Sequence, residues 1–349
     1  MIRSVRRLLG LAAVAAVASV GLVGLASVPA GADTFGYTIQ VQVPNGAQAA
    51  GPQCRLAKVD LATGAVTGIG SLQSALDYAC ANDLAFSPAG VLYGIADTDA
   101  FLASVDSGET STTSTTDGTA PVEPQVPASG AHLVRFDTAT GGVTDLGELG
   151  TPNGSLTSLP GPGGITFDAS GNLFVYMVGA GVECGEAFCL FQVDPANPAN
   201  ATLKASDPQG TYLFGLTASC GTGMFTIEDA STDASVGAAD DVGEVPGGNT
   251  LDRVDPVAGK ATPVGAPFAG GRLVQSLDFG ADGVLYGLGS IVASGVTSPA
   301  YLFRLDPATG AATDIVKLSN TSPSTLVWAL AVSGPACPQP AVVTPSFTG

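Results

Sequence analysis

LFRLDPATGAATDIV, residues 302–316, reads as a strand, a tight turn and a second strand, and the chain repeats that phrase. The copies are LAKVDLATGAVTGIG (56–70), LVRFDTATGGVTDLG (133–147) and LDRVDPVAGKATPVG (251–265), with a looser one, LFQVDPANPANATL, at 190–203. Their turn aspartates are Asp60, Asp137, Asp194, Asp255 and Asp306. Asp before Pro or Thr, with Gly following, is turn chemistry. The carboxylate takes backbone amides, Pro presets φ, and Gly accepts positive φ. These aspartates therefore read as scaffold before they read as ligands.

A second phrase alternates with the first: LAFSPAGVLYGI (84–95), ITFDASGNLFVY (165–176), LTASCGTGMFTI (216–227) and LDFGADGVLYGL (277–288). Each is a hairpin with Gly in its turn. One second phrase (strands A and B) plus one first phrase (C and D) makes a four-stranded unit. A and B are apolar on both faces, which means burial on both sides, while D is polar and Gly-rich, as an outer edge should be. Sheets graded from a buried inner strand to a solvated outer one pack around an axis as an all-β propeller. A two-sheet sandwich would instead alternate apolar and polar residues along most strands.

The ends predict how the ring closes. LVWALAVSG (326–334) supplies a strand A without a strand B, and Tyr37–Val43 precedes an orphan C–D hairpin at 54–70. Joined, they complete a fifth blade from both termini, leaving no radial edge unpaired. Five blades is the expectation; a sixth stays open if the tail around Ala341-Val342-Val343 adds sheet.

Residues 1–32 read as a signal peptide. Arg3, Arg6 and Arg7 precede an apolar run, and Ala30-Gly31-Ala32 offers small residues for cleavage before Asp33. Arg6-Arg7 leaves Sec and twin-arginine export both open. The remainder, 33–349, reads as one propeller domain with a low-complexity loop at 103–130 and a Pro-rich tail at 335–349. Removing the leader takes three of 12 basic residues and none of the 30 acidic ones, leaving nine against 30, a net charge of −21. Such a chain repels nucleic acid and anionic lipid, so neither is an expected partner, and no span remains to hold it in a membrane. Six cysteines in an exported chain point to disulfides. Cys184 and Cys189 pair across a loop, whereas the partners of Cys54, Cys80, Cys220 and Cys337 stay open. With no C-x-x-C and one histidine, His132, zinc loses to structural bridges.

The phrases GITFDASGNLFVY and VLYG…LFRLDPATG resemble the repeats of secreted bacterial propellers of the NHL, YVTN and gluconolactonase-like kind. The resemblance spans nearly all of the mature chain, but it rests on turn and core residues. It implies a fold and no activity.

Strands in a blade run alternately up and down, so the short A–B and C–D turns share one face and the long connections share the other. The long-connection face is the expected working surface. Acids gather there: Asp97 and Asp99 leave one strand B, and Glu228 and Asp229 leave another, a candidate calcium set of hard oxygen ligands. Asn82, Asp83, Glu183, Glu186, Asp233, Asp240 and Asp241 are further binding candidates. Two functions follow. One is a non-catalytic extracellular binding or structural module meeting a protein, glycan or cation through these loops. The other is what the gluconolactonase-like resemblance would imply, a metal-dependent lactone hydrolase-like enzyme with carboxylates at the tunnel mouth. Only Asn82-Asp83 place an acid where a strand A begins, and no G-x-S-x-G occurs, so the binding reading is preferred.

Overall fold

The computed structural model describes residues 35–42, 53–74, 77–97, 130–156, 163–178, 188–207, 213–219, 223–228, 249–293, 296–297, 300–319 and 325–333. The described residues all belong to one compact unit. In chain order the strands begin with β1 (Phe35–Gln42), β2 (Gln53–Asp60), β3 (Val66–Gly68) and β4 (Gln73–Ser74). A first complete blade follows: β5 (Ala81–Phe86), β6 (Leu92–Ala96), β7 (His132–Phe136) and β8 (Val143–Glu148). After a small hairpin, β9 (Gly150–Thr151) and β10 (Gly154–Ser155), the second blade is β11 (Gly164–Phe167), β12 (Leu173–Val178), β13 (Phe188–Asp194) and β14 (Asn197–Asp207). The third is β15 (Leu213–Ser219), β16 (Gly223–Glu228), β17 (Thr250–Val254) and β18 (Ala261–Pro263). The fourth is β19 (Arg272–Phe279), β20 (Leu285–Ala293), β22 (Tyr301–Leu305) and β23 (Ala312–Lys317), with β21 (Val296–Thr297) beside β20. Last comes β24 (Thr325–Val332).

Every blade is antiparallel and ordered as the chain runs, except the one that closes the ring, whose order is β24-β1-β2-β3. The C-terminal strand is innermost there, with Gly36 opposite Val332 and Gln42 opposite Thr325. The inner strands then touch in one cycle, β5 on β11, β15, β19, β24 and back to β5. Five blades make five seams, and each seam holds its own apolar cluster. The expected five-bladed closure is what forms; the tail considered for a sixth blade lies outside the described residues.

Two further ties reinforce the closing blade. Cys54 on β2 is disulfide-bonded to Cys80, just ahead of β5 in the next blade. On the opposite seam Ser319 N–H donates to Gly64 O at 2.9 Å, and Ala65 bridges Ser319 in parallel. Gly64 has φ +70, and a Cβ there would meet Lys317 O at 2.6 Å, so this seam admits only glycine. The same turn shows what the repeated aspartate does. Asp60 accepts from the amides of Ala62 (2.9 Å) and Thr63 (2.8 Å). Asp137, Asp194, Asp255 and Asp306 likewise accept from amides within their own turns. Those bonds, led by the Thr63 amide at Asp60 and by the Ala139, Ala258 and Ala308 amides elsewhere, hold the carboxyls of Asp60, Asp137, Asp255 and Asp306 below the ordinary range.

Candidate functional site

Among the described residues, two places bring titratable groups together under cover: the ring axis, and the long-connection end of the third blade. At the axis the innermost strands share a column of small residues, Gly164, Gly215, Ser276 and Ala329, with Asp83 as the fifth member. The column is small because backbone crowds it. A Cβ on Gly164 would lie 2.7 Å from Leu216 N, and Gly215, at φ +61, packs on Ser276. Register shifts at or next to this column occur in β5, β15, β19 and opposite β24. Such bulges re-aim the backbone locally. Inner-strand edges face no fifth strand, so their amides need another acceptor.

Asp83 supplies it. Its Oδ2 accepts from Ile165 N–H of β11 (3.1 Å) and Leu216 N–H of β15 (3.3 Å), and its Oδ1 accepts from the Ser276 hydroxyl of β19 (2.9 Å). Ser276 Oγ in turn accepts from Leu330 N–H of β24 at 2.9 Å. One carboxyl on β5 thus joins all five inner strands. Asp278 on β19 repeats the device two residues along the strand from Ser276, accepting from the Thr217 hydroxyl and Val332 N–H, each at 2.8 Å. Burial pushes Asp83 up to about 8, against the opposing bonds from Ile165 and Ser276, with Asp278 adding to the rise. Burial likewise pushes Asp278 up to about 7.

The second place is the pair Glu228 and Asp252. β16 and β17 pair with Glu228 opposite Thr250 and Thr226 opposite Asp252, so all four share one sheet face. That face includes Met224 and Val254, which pack on Phe174, Tyr176 and Leu190 of the second blade. Asp252 is fully buried, and its Oδ1 accepts from the Thr250 hydroxyl at 2.8 Å. Burial, with Glu228 beside it, pushes the Asp252 carboxyl up to about 7 despite the Thr250 bond.

Of the expected calcium set, Asp97 is buried at the exit of β6 and Glu228 ends β16, while Asp99 and Asp229 lie outside the described residues. Asn82 is half-buried at the bulge in β5, and Asp83 is on the axis with its carboxylate engaged. Glu183, Glu186, Asp233, Asp240 and Asp241 lie outside the described residues. Cys189 is disulfide-bonded; Cys184, Cys220 and Cys337 also lie outside them. His132 opens β7 and pairs with Asp145 at 3.0 Å, while Tyr78 stacks on its ring at 4.4 Å. No group of three or more His, Cys, Asp or Glu converges for a metal among the described residues.

Asp278 and Asp252 were missed in the sequence, yet the repeats mark both. Asp278 stands where other copies have Ala85, Thr166 and Thr217, and Asp252 stands where they have Ala57, Val134, Phe191 and Phe303. An acid in a column that is otherwise small or apolar, and buried, is the signal.

No family model and no curated protein matches the chain. Solved structures similar to it include an exo-β-1,3-galactanase from Clostridium thermocellum, at 11% identity and TM-score 0.48 over 89% of this chain and 62% of that one. A gluconolactonase from Xanthomonas campestris is 13% identical at TM-score 0.40, covering 85% and 92% of the two chains. The calcium-binding protein regucalcin from Agrobacterium tumefaciens is 14% identical at TM-score 0.34, covering 72% and 66%. Likeness of this order concerns architecture alone, and the propeller assignment stands on the chain's own sheet order and closed cycle of inner strands.

Proposed function

We propose that the chain is an exported, non-catalytic β-propeller that acts outside the cell as a binding or structural module, meeting a protein, a glycan or a cation through its long-connection face. The observation that carries this reading is how the acids are divided. On the short-turn face the aspartates are spent on their own turns. On the axis Asp83 and Asp278 are spent on the amides and hydroxyls that hold the blades together. Asp83 and Asp278, with both oxygens committed to scaffold, have little left for a ligand, and each turn aspartate already has one oxygen held by its own amides. Asp97 and Glu228 stand at the roots of the long connections, where substitution and insertion cost the scaffold least. The disulfide between Cys54 and Cys80 supports an oxidising compartment.

The test is a thermal-shift screen of the secreted protein against glycans and divalent ions, run beside a lactone-hydrolysis assay. A saturable shift with one ligand class and no turnover supports the reading. Lactone hydrolysis that disappears in Asp83→Asn would contradict it, because the axis would then be an active site. Intact mass of the secreted form should place the N-terminus at Asp33.

A further inference from the structure

We infer that the second blade carries a cleft for a neutral, hydroxyl-rich ligand, a saccharide, on the short-turn face. The inference goes beyond the binding reading above, because it adds a site on the face opposite the long connections. The cleft holds about 400 Å³, a volume within the range of small-molecule sites. It opens between Asn172 at the start of β12 and Asn200 and Thr202 of β14, across Gln192 and Asp194 of β13. Its shape and its lining point to a ligand independently.

The shape comes from an irregular outer strand. Gln192 pairs with Thr202 and Asp194 with Asn197, so an advance of two residues along β13 is matched by five along β14. The surplus leans outward, where Pro198 and Ala199 lie against Gly147 and Gly150 of the first blade. A bulge that draws one strand aside opens a hollow over its neighbour.

The lining departs from the repeat. Four blades share one cross-strand pair, an aromatic opposite a cation: Tyr37–Lys58, Tyr93–Arg135, Phe225–Arg253 and Tyr286–Arg304. In the second blade the pair is Phe174–Gln192, so a shorter, neutral amide replaces the cation. Two residues before the aromatic the other blades have Phe35, Val91, Gly223 and Val284, whereas this one has Asn172. Both departures fall in one blade, and they touch. Gln192 Nε2 donates to Asn172 Oδ1 at 3.0 Å, and Asn172 Nδ2 donates to Asp168 Oδ2 at 2.8 Å. Four blades fold without these amides, so the scaffold does not require them.

The same bonds fix how the amides face. An ionised Asp168 only accepts, so Asn172 turns its NH₂ to it and its carbonyl to Gln192. Gln192 keeps its carbonyl and one N–H for a ligand. Side by side, an acceptor and a donor match neighbouring sugar hydroxyls, each of which both donates and accepts. Thr202, Asn200 and the second oxygen of Asp194, whose first takes the Ala196 amide, add further partners. The lining includes a carboxylate and no basic residue, which disfavours an anionic ligand.

The secreted protein is screened on an array of neutral, acidic and amino-sugar oligosaccharides, and each hit is titrated by calorimetry and mapped by hydrogen exchange. The expected result is saturable binding of a neutral saccharide that slows exchange at residues 171–173 and 192–202. Gln192→Arg and Asn172→Val restore residues that other blades carry at these positions, so both should keep the wild-type urea midpoint. Each should weaken the saccharide at least tenfold, and if one fails to fold the other carries the test. Neutral-sugar binding unchanged in the folded variants, binding of acidic sugars alone, or no saccharide bound at millimolar concentration overturns the cleft. Slowing confined to Ala96, His132 and Glu228 places the sugar at the long-connection end, which overturns the cleft and supports the reading above.

Discussion

Replacing Asp83 separates two roles of the axial carboxyl, as an acceptor and as an ionisable group. Asp83→Ala strands the amides of Ile165 and Leu216 and the hydroxyl of Ser276. A buried donor left without an acceptor costs about 1–3 kcal/mol, so three of them lose on the order of 5 kcal/mol. That is a large share of the roughly 5–15 kcal/mol of a typical fold. Asp83→Asn behaves differently. Its carbonyl still accepts both amides, and its NH₂ meets Ser276 Oγ as a donor once the Ser276 hydroxyl, which donates to Oδ1 in the wild type, turns away, so at pH 4 the cost stays within about 1.5 kcal/mol. The pH dependence then follows from the raised carboxyl. Folded Asp83 keeps its proton up to about 8, while the unfolded group releases it near 3.8. The folded state therefore binds more protons between those values, and stability is full below pH 4 and falls as pH rises towards 8. The slope is about 1.4 kcal/mol per pH unit for one group, or about 3 kcal/mol between pH 5 and 7. Asp278, raised to about 7, adds a loss of the same sign. Urea unfolding followed by fluorescence of Trp328, the one tryptophan in the chain, reports on the closing strand itself. The Asp83→Asn variant should be no less stable than wild type at pH 8 and should lose about 3 kcal/mol less between pH 5 and 7. An unchanged slope in Asp83→Asn, or wild-type stability in Asp83→Ala, would refute the reasoning.

Other outcomes follow from the same structure. Gly64→Ala, at φ +70 against Lys317 O, should cost more than the roughly 1 kcal/mol of an open positive-φ site, read as a lower urea midpoint. Removing the disulfide with Cys54→Ser and Cys80→Ser frees a loop of separation 26 and should cost about 3–4 kcal/mol on the chain-entropy estimate, measurable by the same unfolding curve. Asp60→Asn, Asp137→Asn, Asp255→Asn and Asp306→Asn combined should lower the melting temperature and leave ligand binding unchanged. Their carboxyls are held low, so wild-type turns lose stability only as pH falls below the ordinary carboxylate range, the opposite sign to the axis.

Much of the architecture was legible in the sequence because it is repeated locally. Asp60 and its four counterparts announced their turns, and the orphan strand at 326–334 announced how the ring closes. The axis was less legible. Asp83 could be placed at the start of a strand A, but its partners lie 82, 133 and 193 residues away, and only closure brings them within reach. Bulges that turn the amides are backbone events without a residue signature beyond the small column Gly164, Gly215, Ser276 and Ala329. Cys54 and Cys80 were similarly one pairing among many until β1 and β2 were seated in the closing blade. Glu228 was readable as a strand-end acid. Its partner Asp252 was hidden within a phrase whose other residues are turn and core.

Native-state hydrogen exchange of wild type and Asp83→Ala tests most directly whether one axial carboxyl joins five blades. The account predicts that the amides of Ile165, Leu216 and Leu330 are among the slowest in the wild type. In the variant they should accelerate together, carrying β11, β15 and β24 with them although the substitution lies on β5. Faster exchange confined to residues 81–86, with those three amides unchanged, would contradict it.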